Sequence, residues 1–75
     1  MYNIICDKRG QPEVKLFLGA DLKTWSTNLV GAFEAADSAS AAKVVKWRKA
    51  RNVRIIKTST SKEVEKRNEY FQPLY

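Results

Sequence analysis

Two short apolar patterns near the N-terminus are separated by one turn segment, and this arrangement restricts the possible folds more than any other feature of the chain. Residues 2–6 favour extended structure, and residues 14–18 place Val14, Leu16 and Leu18 on one face. Gly10 and Pro12 between them are typical of a turn. We therefore predict a β-hairpin at the start of a chain of 75 residues, a length that suits one small domain.

The middle of the chain is predicted to supply a third strand and a helix. Residues 29–34 are interpreted as a strand, because a helix there would hold Gly31 in its interior at a cost of about 1 kcal/mol. Asp37 or Ser38 is suited to cap a helix, since a short side-chain oxygen accepts hydrogen bonds from the first backbone amides. The helix is predicted to cover residues 39–51 and to stop at Asn52.

The remainder of the chain predicts a fourth strand and a second helix. Residues 53–58 are rich in β-branched side chains, which favour a strand. Thr60 and Glu63 have the spacing of a capping box, so a helix is predicted to follow and to run to about Tyr70. The resulting order is β-β-β-α-β-α. We predict a single α+β domain over residues 1–75, in which one main helix packs on a small antiparallel sheet of three to four strands.

The charge of the chain is concentrated in residues 38–62, a block that contains no acidic residue. Residues 1–37 and 63–75 each carry a formal net charge of −1, so this block accounts for the whole net charge of +6. Clustered charge of one sign attracts polyanions or acidic protein surfaces. The basic residues of the block are Lys43, Lys46, Arg48, Lys49, Arg51, Arg54, Lys57 and Lys62.

Helical spacing places three lysines of this block on the face opposite Val44 and Val45, and the following strand continues the charge. An exposed helix commonly carries lysine for solvation, but it usually interleaves glutamate as well. The uninterrupted positive charge therefore favours an interaction surface over a merely solvated one. The candidate partner-binding residues are Lys43, Lys46, Trp47, Lys49, Arg51, Arg54 and Lys57.

The two tryptophans each allow two interpretations. Trp47 lies among the lysines and could stack on a base or anchor a protein contact. It could equally cover Val44 at the edge of the core, which is the more common environment for tryptophan. Trp25 precedes a polar stretch, where it would either pack against the hairpin or serve as an exposed anchor.

Residues that could support catalysis or bind a metal are scarce, so we expect neither an enzyme nor a cofactor. The chain has no histidine, which removes the commonest general base and metal ligand, and it has a single cysteine. Cys6 lies in a predicted core strand, where burial makes a thiol unreactive. Ser40 and Lys43 match the serine–lysine spacing of acyl-enzymes, but the companion motifs of those enzymes are missing.

The location expected for the protein is cytoplasmic. No apolar run approaches the roughly 20 residues needed to cross a bilayer, and the N-terminus does not have the pattern of a signal peptide. A single cysteine excludes an intrachain disulfide and suits a reducing compartment.

Residues 29–57 resemble the small accessory proteins of bacteriophages and mobile elements, including the anti-CRISPR type. The resemblance is carried by Gly31-Ala32-Phe33-Glu34, by the helix start at residues 37–43 and by Val53-Arg54-Ile55-Ile56. It implies a protein without enzymatic activity that acts in a bacterial host by masking a surface of a nucleic-acid-handling machine. Many such proteins are acidic mimics of DNA. A basic member would instead bind an acidic protein patch, a guide RNA or DNA.

Three functions remain as hypotheses at this stage. The first is a binding or inhibitor protein that docks a host protein or ribonucleoprotein complex through the basic helix and strand. The second is a domain that binds DNA or RNA directly through phosphate contacts. The third is an assembly subunit whose charge serves only solubility. A membrane partner is not expected.

Overall fold

The computed structural model describes residues 1–46 and 50–71 and has an α+β fold. A four-stranded antiparallel sheet has the spatial order β3-β2-β1-β4. The predicted fold class and the predicted order β-β-β-α-β-α are confirmed. The elements are β1 (Tyr2–Lys8), β2 (Gln11–Leu18), β3 (Trp25–Ser26), α1 (Ser38–Val45), β4 (Arg54–Lys57) and α2 (Thr58–Phe71).

The predicted hairpin forms the centre of the sheet. β1 and β2 pair in antiparallel fashion with Ile5 opposite Phe17, and a register shift follows Asp7. The turn between the strands contains Gly10 at a φ of +82°. A left-handed backbone of this kind strains other residues, so glycine is the residue that allows the tight turn.

Both faces of the sheet are covered, whereas the sequence predicted one main helix on the sheet. Ala41 of α1 packs with Ile4 and Leu18 in the main core cluster. On the opposite face, Ser61 of α2 donates a hydrogen bond to Asn3, at 2.6 Å between Oγ and Oδ1. We call these the α1 face and the α2 face. Consecutive residues of β1 are therefore buried on opposite sides, which explains why Asn3, Ile4, Ile5 and Cys6 are all inaccessible.

The third strand lies earlier in the chain than residues 29–34. It is the two-residue β3, in which Trp25 pairs with Leu18. Within residues 29–34 only Ala32 forms a bridge, to Gly19. Gly31 has a φ of +79° and the Ala32 amide donates back to the Leu29 carbonyl at 3.0 Å, so a turn interrupts the extended run.

The first helix is capped as predicted but ends earlier. The Asp37 carboxylate accepts a hydrogen bond from the Ser40 amide at 2.7 Å, which confirms Asp37 as the N-cap. The helix ends at Val45, and residues 46, 50 and 51 of the predicted span are not helical, while residues 47–49 lie outside the described residues. Asn52, the predicted stop, lies instead in the connection to β4, where its φ of +52° is one that asparagine tolerates better than most residues.

The second helix begins at Thr58, directly after β4, rather than at the predicted capping box. Ser61 therefore lies within the helix, where its buried hydroxyl is engaged by Asn3. The predicted fourth strand differs from the observed β4 by one residue at each end.

Candidate binding surface at the hairpin end of the sheet

Three separate parts of the chain meet at the end of the sheet where β1 turns into β2. The Asp7 amide donates to the Arg51 carbonyl at 2.9 Å, which holds the connection between α1 and β4 beside the hairpin. The last turns of α2 reach the same end. There the Asn68 side chain forms two hydrogen bonds with the backbone of Lys15, at 2.8 and 2.7 Å. Residues distant in sequence are thereby brought together.

Asp7 is the acidic centre of this end, and three side chains donate to its carboxylate. The donor–acceptor distances are 2.6 Å from Lys15, 2.7 Å from Asn52 and 3.3 Å from Arg54. The hydrogen bond from Lys15, followed by that from Asn52, lowers the pKa of Asp7 below its ordinary value. The carboxylate is therefore ionised at neutral pH, and it orients Lys15 and Arg54 at the surface.

The cationic side chains at this end outnumber the acidic ones. Asp7 has a side chain that is only 9% exposed, and Glu13 is an acidic residue of β2 that also lies here. The hairpin turn, β2, the α1–β4 connection, β4 and α2 each contribute at least one cation. We call this set the basic end, and it consists of Lys8, Arg9, Lys15, Arg51, Arg54 and Arg67.

A groove of about 590 Å³ runs between α2 and its face of the sheet and opens at the basic end. Its apolar lining comes from Ile5, Ile56 and Val64. Three cations, Lys15, Arg54 and Arg67, and one acidic residue, Glu13, also line it. Tyr70, whose residue surface is 81% exposed, lies there too. Apolar walls next to cations suit a ligand that is partly flat and apolar and partly anionic.

The candidate partner-binding residues predicted from the sequence do not all lie on one surface. Lys43 on α1 and Lys46, the C-cap directly after it, are exposed on one side of the sheet. Arg51 and Arg54 belong to the basic end, and Arg54 lies on the α2 face, in register with Ile5. Lys57 is at the other end of β4, opposite Tyr2. Trp47 and Lys49 lie outside the described residues.

Sequence reasoning missed four residues of the basic end: Lys8, Arg9, Lys15 and Arg67. They occur in segments whose formal charge is slightly negative, so composition did not distinguish them. The available signal was the hairpin itself. The predicted hairpin places Lys8 and Arg9 at its turn. That Arg51 lies at the same end of the sheet depends on the pairing of β4 with β1, which the sequence does not show.

Trp25 packs against the core, which supports the buried alternative for this residue. It is half-buried and borders the cluster that contains Ile4 and Leu18. Its pairing with Leu18 places the ring on the α1 face. Trp25 is therefore not an exposed anchor, and it does not belong to the candidate surface.

The reactive groups considered from the sequence are poorly placed for chemistry. Cys6 is buried as predicted, and burial raises the pKa of its thiol to about 11, so the thiolate is scarce at neutral pH. Ser40 and Lys43 lie on the exposed surface of α1. Among residues 1–46 and 50–71, no group of three or more histidine, cysteine, aspartate or glutamate side chains could hold a metal ion.

Comparisons with protein-family models, with curated proteins and with solved structures gave no match. No helix in the described ranges is long and apolar enough to cross a membrane. The basis for a function is therefore the charge, the shape and the hydrogen-bonding of the chain itself.

Proposed function

We propose that this protein is a small non-enzymatic binding or inhibitor protein that docks a negatively charged surface of a nucleic-acid-handling complex through its basic end. The observation that carries the proposal is that Lys15, Asn52 and Arg54, from three separate parts of the chain, all donate to the Asp7 carboxylate at an end of the sheet where further cations lie. A partner with acidic groups gains attraction to this end before contact and specific hydrogen bonds after it.

The arrangement of Arg51 and Arg54 supports docking rather than turnover. Guanidinium groups form paired hydrogen bonds with carboxylates and phosphates, and both residues are exposed. Arg54 is additionally held in place by Asp7 at 3.3 Å, so less side-chain freedom is lost when a partner binds. The resemblance to phage accessory proteins is the reason for placing the partner in a nucleic-acid-handling complex of a bacterial cytoplasm.

A second candidate function, direct binding of single-stranded nucleic acid, is favoured by the groove beside α2. Proteins that bind single strands combine cations along the backbone with aromatic rings on which bases stack. Tyr70 is exposed at the groove, and Lys15, Arg54 and Arg67 line it. Phosphates held by these cations would leave the bases near the Tyr70 ring and the apolar walls.

Affinity capture with and without nuclease tests the leading proposal against the second. The immobilised protein is incubated with bacterial lysate, and the bound material is analysed before and after digestion of nucleic acid. Docking of a protein surface predicts a defined complex that survives digestion at a one-to-one ratio. Loss of all bound protein on digestion would contradict it and favour direct nucleic-acid binding.

The salt dependence of the purified interaction provides an independent check. Neutralisation of five or six phosphates would give a slope of log K against log salt of about −4 to −5 on duplex DNA and a shallower one on single strands. A protein interface with fewer charge pairs predicts a smaller dependence. A steep slope together with affinity for an oligonucleotide alone would overturn the docking proposal.

A further inference from the structure

β4 forms one edge of the sheet, and half of its backbone hydrogen-bonding groups point away from the sheet. The Thr58 amide donates to the Met1 carbonyl at 3.0 Å, which makes this a hydrogen-bonded position of the antiparallel ladder. Because such positions alternate, Arg54 and Ile56 direct their backbone groups toward β1, and Ile55 and Lys57 direct theirs outward. In the described part of the chain no hydrogen bond reaches the amide of either outward residue.

On the other side of the sheet, the outward backbone groups of β2 at Lys15 and Phe17 are engaged. The outward groups of Lys15 are both engaged by the Asn68 side chain, at 2.8 and 2.7 Å. Phe17 is paired with Ser26 of β3. Asn68 and β3 thus engage these groups of β2, while the β4 edge keeps the amide and carbonyl of Ile55 and the amide of Lys57 available. An edge of this kind is a template for another strand.

The side chains of β4 define what the added strand would contain. Arg54 and Lys57, at the two ends, are exposed cations, and Ile55 and Ile56 between them are half-buried on opposite faces. Residues directly opposite each other in a sheet interact, and opposite charges stabilise the pair. The complementary segment therefore has an acidic residue, two apolar residues and a second acidic residue in succession.

We infer that an extended acidic segment of a partner protein pairs with β4 and adds a fifth strand to the sheet. This inference rests on the proposed docking function and specifies how the partner is recognised. Main-chain hydrogen bonds to Ile55 and Lys57 supply the pairing, and carboxylates opposite Arg54 and Lys57 select the sequence. A second copy of this chain is disfavoured as the occupant, since pairing of two β4 edges would bring two positive surfaces together.

Hydrogen exchange at individual amides tests the added strand directly. The probe is a short synthetic peptide with Glu-Val-Val-Glu at its centre, and the controls are Lys-Val-Val-Lys and Glu-Val-Pro-Glu peptides. In the free protein the Ile56 amide should exchange slowly, because it is bonded within the ladder, and the Ile55 and Lys57 amides should exchange fast. Binding of the acidic peptide should slow Ile55 and Lys57 strongly, and neither control peptide should do so.

A matched pair of variants separates backbone pairing from charge. Lys57→Ala removes the cation and keeps the outward amide, whereas Lys57→Pro removes both and places a ring against the edge. Proline is compatible with this position, because its amide is not used in the ladder and Ile56 before it is already extended. Added-strand binding predicts that Lys57→Pro binds the peptide at least about tenfold more weakly than Lys57→Ala does.

The outcomes distinguish this inference from the proposed function. Equal affinity of the two Lys57 variants, with Ile55 and Lys57 unprotected in the complex, would overturn strand addition and leave docking by charge intact. Binding of a single-stranded oligonucleotide, together with no binding of the acidic peptide, would also overturn strand addition. That result would favour the groove beside α2 as the binding site. An unchanged rate of hydrogen exchange at the Ile56 amide in both Lys57 variants verifies that the sheet is preserved.

Discussion

At the scale of single residues, buried polar side chains fasten α2 to the sheet. Asn3 is fully buried, and its amide donates to the Phe33 carbonyl at 2.9 Å while its oxygen accepts from Ser61 at 2.6 Å. Buried polar groups of this kind are stable only when each is hydrogen-bonded. In the sequence Ser61 stands between Thr60 and Glu63 of the predicted capping box. Nothing in that local pattern indicates its hydrogen-bond partner, Asn3, 58 residues away.

Ser61→Ala should lower the free energy of unfolding by about 1–3 kcal/mol, since it leaves the buried Asn3 oxygen without its hydrogen bond from α2. Urea denaturation measures the change. The matched control is Ser59→Ala, in the same helix at an exposed position, for which we expect a change below about 0.5 kcal/mol. Equal effects of the two substitutions would contradict the role assigned to Ser61.

The low pKa of Asp7 makes the protein sensitive to acid. The folded state binds this proton less readily than the unfolded chain does, because Lys15 and Asn52 donate to the carboxylate. The contribution to stability is thus complete above about pH 4 and is lost as the pH falls through the folded pKa. Unfolding free energies measured from neutral pH down to about pH 2 should fall less steeply in Asp7→Asn than in the native protein. An identical decline in both would show that Asp7 is not the responsible group.

At the scale of elements, strands with long apolar patterns were predictable and short ones were not. β1 and β2 carry their own pattern and turn, so the hairpin could be derived from local sequence. β3 is two residues long, and its position is decided by pairing with Phe17 and Leu18. α1 ends at Val45, and Arg51 farther on accepts a hydrogen bond from the Asp7 amide, a long-range contact that no local pattern of the sequence indicates.

Asn68→Ala should loosen α2 from β2, because the lost amide satisfies both backbone groups of Lys15. We expect a loss of about 1–3 kcal/mol for each buried group left unpaired, and faster hydrogen exchange at the Lys15 amide. The control is Glu69→Ala, at the neighbouring exposed position. Unchanged exchange at Lys15 in Asn68→Ala would contradict this account.

At the scale of the whole molecule, the fold divides one charged segment among several surfaces and adds cations from elsewhere. The sequence indicated the positive block and, within it, Arg51 and Arg54. It could not indicate that Lys57 lies at the far end of β4, or that Arg9 and Arg51 lie at the same end of the sheet. Those positions follow from the strand order β3-β2-β1-β4, which is a property of long-range pairing rather than of composition.

The central claim is that the basic end, and not positive charge in general, binds the partner. It is tested most directly by comparing two double charge reversals: Arg9 and Arg51 to Glu at the basic end, and Lys23 and Lys62 to Glu at exposed positions away from it. Both variants change the net charge by the same amount. The measurement is the affinity of each folded variant for the captured partner near physiological salt.

We expect the Arg9 and Arg51 reversal to weaken binding by at least about 100-fold, since attraction is replaced by repulsion at the contact. The Lys23 and Lys62 reversal should stay within about threefold of the native protein, because charges far from an interface are largely screened at this salt concentration. Equal loss in both variants, or no loss in either, would contradict the assignment of function to the basic end.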